Sequence, residues 1–180
     1  MSGAVLHVEG RVLEADPWVQ VADDAALPDG PALVSRVRWQ AMREALIARG
    51  APVGVVLTPG DAVEEIAADL PHLACVALYF PGPGEGRPYS AARLLRGRYG
   101  YRGEIRAVGE VLIDQVHFLK RSGFDVLALR ADQDVSAALA ALETFIQQFG
   151  DVMTSDEVLA RLGQHRDGHV VRNMTALDES

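Results

Sequence analysis

Short apolar runs alternate with polar, turn-forming residues along this chain, and the character of the alternation changes at about Pro31. Before it, apolar pieces at 5–8, 12–13 and 19–21 are separated by Gly10, Asp16-Pro17 and Pro28-Asp29-Gly30, the pattern of a small hairpin or edge lobe. We read residues 1–30 as a β cover on a larger domain. After it, apolar runs alternate with helical periodicity, the signature of repeated βα units and a largely parallel sheet. Five units can be counted. A strand at 32–34 leads through Ser35, a helix-capping residue, into a helix with Val37, Ala41, Ala45 and Ala48 on one face and Gly50 at its end. The run PVGVVL at 52–57 reads as a buried parallel strand, followed by a helix that Asp61 and Glu64 start and Pro71 stops. A third strand at 73–80 passes through a Gly/Pro loop into a helix capped by Ser90, with Ala91, Leu94 and Leu95 inward. The fourth strand, 104–108, precedes a helix over 111–121 that ends at Gly123; the fifth, 124–129, precedes an alanine-rich helix that starts at Asp134 or Ser136 and runs to about Phe149.

The fold class is therefore α/β: a mostly parallel sheet of about five βα units, either open and doubly wound or partly curled as in a TIM-like barrel. Eight such units would need more chain than 180 residues. One domain over 1–150 accounts for the pattern, and 151–180 reads as a tail with a short amphipathic helix and a frayed, polar end.

Composition narrows the function. A 49% hydrophobic and 23% charged chain is globular, and its net charge of −8 opposes binding to nucleic acid or to an anionic membrane. No run reaches the roughly 18 apolar residues of a membrane span and no secretory leader is legible, so the cytoplasm is the expected location. A single cysteine, Cys75, leaves no pair for an internal disulfide, and its place inside an apolar strand reads as a small buried hydrophobe. The five histidines lack metal-ligand spacing, and no cofactor signature is evident: the Gly/Pro loop at 82–90 has neither the Gly-Lys-Ser/Thr of a phosphate loop nor GxGxxG.

Against the acidic background, residues 80–115 hold six arginines, Arg87, Arg93, Arg96, Arg98, Arg102 and Arg106, opposed by Glu85, Glu104, Glu110 and Asp114. Such a local excess of positive charge fits an anionic ligand or an acidic partner patch. In parallel sheets ligands bind beyond the carboxyl ends of the strands, which here collect the 82–89 loop, Arg106, Glu110, Arg130 and Asp132. Arg87, Arg106 and Arg130 then face one pocket as anion clamps, or else pair with neighbouring acids such as Glu110 and Asp132. Asp114 or Glu110 is the candidate acid/base; no Ser-His-Asp or lysine nucleophile can be assembled.

The run GRPYSAARLLRGRYGYRGEIRAVGEVLIDQ, continued by RSGFDVLALR, resembles the bacterial domain-of-unknown-function family 934, with its approximate pattern DGRxYSxARLLRxRxGYxGELRAVGDVLxDQ. Here Glu85 precedes Gly86 where the pattern has Asp, Glu110 stands for the Asp of AVGDV, and Ser122 stands for the Cys of the family's continuation RCGFDxF. The resemblance implies a probable oxidoreductase or accessory protein of sulfite reduction, typically encoded beside a sulfite or nitrite reductase hemoprotein. Position by position it nominates Arg87, Tyr89, Ser90, Arg93, Arg106, Asp114 and Gln115. Two functions compete: an accessory protein that binds the reductase or an anionic ligand, and a small α/β enzyme acting on a phosphorylated or sulfated metabolite. Homodimerisation is compatible with either.

Overall fold

The computed structural model describes residues 3–149, so the expected tail at 151–180 lies outside the described residues. Its centre is a mostly parallel, curled sheet of eight strands: β1 (Val5–His7), β2 (Arg11–Val12), β3 (Val19–Gln20), β4 (Ala32–Ser35), β5 (Val53–Leu57), β6 (Cys75–Phe80), β7 (Glu104–Gly109) and β8 (Val126–Ala128). Their order is β2-β1-β8-β7-β6-β5-β4-β3. From β4 to β8 each strand lies beside its predecessor in the chain, so the sheet has no topological switch point and is not doubly wound.

The connections place α1 (Arg36–Ala48), α2 (Arg87–Gly97), α3 (Val116–Ser122) and α4 (Val135–Phe149) after β4, β6, β7 and β8. The step after β5 is a 3₁₀ helix, Val63–His72, so the expected five βα units become four and one β–3₁₀ step. Asp61 does not cap that helix. Its carboxylate accepts from the Thr58 N–H at 2.7 Å and from Arg36 Nε at 2.6 Å, and the backbone N–H of Ala62 is taken by Glu65. Likewise α2 begins at Arg87, with Gly86 at its N-cap and Pro88 in its first turn, where a fixed φ and a missing N–H suit a helix start; Ser90 lies inside the first turn and caps nothing. A 3₁₀ turn at Ile113–Gln115 precedes α3, and Gly123, at φ +98°, closes α3 as expected. Of the two proposed caps for α4, Asp134 is the one used: it accepts from Ser136 N at 2.8 Å.

Strand alternation divides the core into two layers. Val76, Leu78 and Phe80 of β6, with Ile105 and Ala107 of β7, pack against Trp39, Leu46, Ile66, Leu95, Leu119 and Leu142 from the helical side. The opposite face carries Leu33, Val56, Cys75, Ala77 and Val108, with Trp18 over them. The N-terminal segment is thus woven into the domain: β1 pairs antiparallel with β8, β3 pairs parallel with β4, and Trp18 between them packs on the second face.

One helix face is reversed from expectation. Val37 is 60% exposed, and Ala41, Ala45 and Ala48 are exposed with it. α1 turns Arg38, Trp39 and Leu46 inward instead. Three alanines and a valine offer little area to bury, whereas Trp39 contributes a large ring and satisfies its indole N–H on Asp69 at 2.8 Å. The Arg38 guanidinium likewise donates to the carbonyls of Ala22 and Ala25.

Candidate functional site

The loops after β6 and β7 are bound together at the carboxyl edge of the sheet. Glu110 N donates to the Phe80 carbonyl at 2.8 Å. Gly109 sits at φ +93°, and a Cβ there would lie 2.5 Å from the Phe80 carbonyl oxygen and 2.7 Å from the Tyr79 ring. Only glycine allows this turn and this approach together. Gln115 completes the link. Buried at the end of the 3₁₀ turn, its side chain accepts from Leu112 N at 2.8 Å and donates to the Pro83 carbonyl at 3.4 Å.

Between these loops and along the facing sides of α2 and α3 runs a cleft of about 400 Å³. Pro83, Gly86, Tyr89, Ser90 and Arg93 line one wall, and Asp114, Gln115 and Phe118 the other. Tyr89 is half-buried, edge-on to Phe80 at 5.2 Å and to Phe124 at 6.3 Å between ring centres. Burial pushes its phenol pKa upward, a bond from Gln115 opposes this, and the nearby Asp114 carboxylate adds to it. The hydroxyl therefore stays protonated at neutral pH, fit to donate. Arg93, one turn beyond Tyr89 on α2, has a single partner, Ser122 Oγ at 3.4 Å, and forms no ion pair among the described residues. Asp114 forms none either. The cleft therefore carries one cation and one anion, both exposed, both free to meet a ligand's charges.

Five nominated residues, Tyr89, Ser90, Arg93, Asp114 and Gln115, come together here. The others do not. The expected meeting of Arg87, Arg106 and Arg130 fails because each guanidinium is bound by acids of its own. Arg87 holds Glu85 through Nε at 2.8 Å and Nη2 at 2.7 Å, which brings the Glu85 carboxyl down to about 2. Arg130 binds Asp132 at 2.6 and 2.7 Å and Glu110 at 2.9 Å, bringing Asp132 to about 2. Glu110 is thereby an ion-pair partner and not a cleft residue. Arg106 is 2% exposed on the sheet face away from the helices, beside its strand partner Ala77. Its fork grips both oxygens of Asp16 at 2.6 and 2.9 Å, and its Nε donates to Glu104 at 3.0 Å. Burial disfavours its charge, but these acids outweigh burial and keep it protonated.

Other parts of the arginine-rich run are also committed to the fold. Arg96 donates to the carbonyls of Gly123, Tyr101 and Gly103 at 3.0, 2.7 and 2.9 Å and pairs with Asp125. The buried Tyr101 hydroxyl donates to the Leu73 carbonyl at 2.9 Å, its ring occupying the space a Gly103 side chain would need. Cys75 is fully buried, and burial pushes its thiol well above the usual range, as its strand position foretold. Among the described residues no group of three or more His, Cys, Asp or Glu side chains is placed to hold a metal, and no helix is long and apolar enough to cross a membrane.

Sequence reasoning missed Phe118. It is 61% exposed at the cleft's edge, while Val116 and Leu119 of the same helix are buried. The signal was available, because a phenylalanine displaced from the Val116/Leu119 side of a seven-residue helix falls on its water-facing side.

Fold and cleft together define an α/β domain with a singly wound sheet and an opening between α2 and α3 whose flanking loops Gln115 ties together. The chain belongs to the domain-of-unknown-function family 934, bacterial proteins of unknown function, which it matches over residues 54–159. No curated protein matches it. The matched region contains both walls of the cleft but not Asp16, the partner of Arg106.

Proposed function

We propose that this protein is a cytoplasmic accessory protein of assimilatory sulfite reduction that binds the sulfite or nitrite reductase hemoprotein through the α2/α3 cleft. The reductase enters through the family resemblance; the cleft enters through its geometry. The observation that carries the reading is the sorting of charges. The arginines at 87, 96, 106 and 130 are neutralised inside the chain, and Arg93 stands unneutralised in the same opening as Ser90, the Tyr89 hydroxyl and an unpaired Asp114. Unpaired charges on a rigid rim supply specificity and steer association more than they supply raw affinity. Such a protein needs no redox centre of its own, because the hemoprotein carries the electrons.

The test is direct titration of the purified chain with the purified reductase hemoprotein, followed by assay of sulfite reduction with and without the chain. Saturable binding together with a change in reductase activity or assembly supports the proposal. No binding and no effect on activity would remove it.

A further inference from the structure

We propose that the α2/α3 cleft docks a short segment of the partner protein, one that seats an apolar side chain on Phe118 and Tyr89 between an acidic group at Arg93 and a basic group at Asp114. This rests on the accessory reading above and specifies what the partner presents.

Three observations exclude a free inorganic anion as the better fit. Asp114 repels an anion from the very opening in which Arg93 attracts it. Phe118 holds most of its ring in water, the most exposed large hydrophobic residue among those described, and a small anion would not cover it. The cleft is also open along one side: its charged walls and Phe118 are exposed, so they would not enclose and desolvate a small ion. A protein segment satisfies all three at once. It covers the ring, matches both charges and needs no enclosure. Aromatic and arginine side chains are the residues that most often dominate the energetics of such interfaces, particularly when preorganised. Preorganisation is visible here in the Gln115 bonds to both loops and in the packing of Tyr89 between Phe80 and Phe124.

The experiment is calorimetric or anisotropy titration of the full chain against the purified reductase hemoprotein. Phe118→Ala and Arg93→Glu are each expected to raise Kd tenfold or more, and Asp114→Arg to raise it severalfold. Arg98→Glu, at the far end of α2 where Arg98 stacks on Tyr99, is expected to leave it within twofold. The side chains at 93, 114 and 118 are exposed, so each variant should melt with the parent, and a circular dichroism melt verifies this. If the parent binds and Phe118→Ala and Arg93→Glu both bind as tightly, the docking inference is overturned and the accessory reading stands. Loss with Arg93→Glu but not with Phe118→Ala means that an anionic group alone is recognised, which also overturns it. If the parent does not bind the reductase, both fall.

Discussion

The sheet face around Arg106 and the cleft around Arg93 draw on one arginine-rich run, yet they use charge in opposite ways. On the sheet face the cation is fully buried, so it carries two carboxylates, Asp16 and Glu104, because a lone charge out of water is too costly to keep. In the cleft both side chains are exposed to solvent, so Arg93 and Asp114 persist without an ion pair among the described residues and remain free for another molecule's charges. An excess of arginine in a sequence is therefore not itself a binding surface. Burial decides which guanidinium is consumed by the fold and which is left over.

The largest expected effect separates the two regions by stability. Arg106→Ala leaves a cavity on the sheet face and takes the cation from Asp16 and Glu104, whose side chains are 26% and 28% exposed and recover some hydration; it should cost about 3–4 kcal/mol, read as a fall in the urea midpoint. Arg93→Ala should change stability by less than about 0.5 kcal/mol, since an exposed side chain with one long hydrogen bond is lost. Equal losses in the two variants would erase the distinction. Next in size is Arg96→Ala, which removes three carbonyl bonds and the Asp125 pair and should cost about 2–3 kcal/mol in the same measurement. Gly109→Ala acts on the cleft side. It forces an unfavourable positive φ and a clash with the Phe80 carbonyl, costing about 1–3 kcal/mol, and it should weaken partner binding because the two cleft loops meet there.

The smallest effect is a dependence on acid. Burial opposes ionisation of Asp61 and Asp69, but bonds from Arg36 and Thr58 to the first, and from Trp39 and Arg43 to the second, outweigh it and hold both below the ordinary carboxylate range. Arg87 holds Glu85 down to about 2. Between the folded and unfolded pKa values the unfolded chain binds more protons, so the stability these groups give is complete above the unfolded value of about 4 and drains away as pH falls through the folded values. Urea midpoints should be level from pH 7 to about pH 5 and decline toward pH 3. A midpoint that held steady to pH 3 would show that these pairs contribute nothing.

Much of the fold is legible in the chain, and the reason is local. The strands at 53–57 and 75–80 follow continuous apolar runs, and Gly123 ends α3 because only a residue free of a Cβ adopts that turn cheaply. The same local logic misleads at α1, where alanine periodicity points to one face and Trp39 claims the other. It also misleads at Asp61, whose capping spacing is real but whose carboxylate finds Arg36 on the preceding helix. The cleft was half legible. Tyr89, Ser90, Arg93, Asp114 and Gln115 were named from the motif, whereas Phe118 emerged only once the orientation of α3 was known.

What the sequence determined on its own is the succession of elements, because apolar period, glycine stops and the proline in the first turn of α2 act within a few residues of one another. The tertiary structure decided the partners. Arg106 meets an aspartate 90 residues away, Trp39 one 30 away and Arg96 one 29 away. Pairings of that range are set by strand order and by which face each strand turns to the helices, and they alone determine that Arg106 holds the sheet while Arg93 faces the solvent.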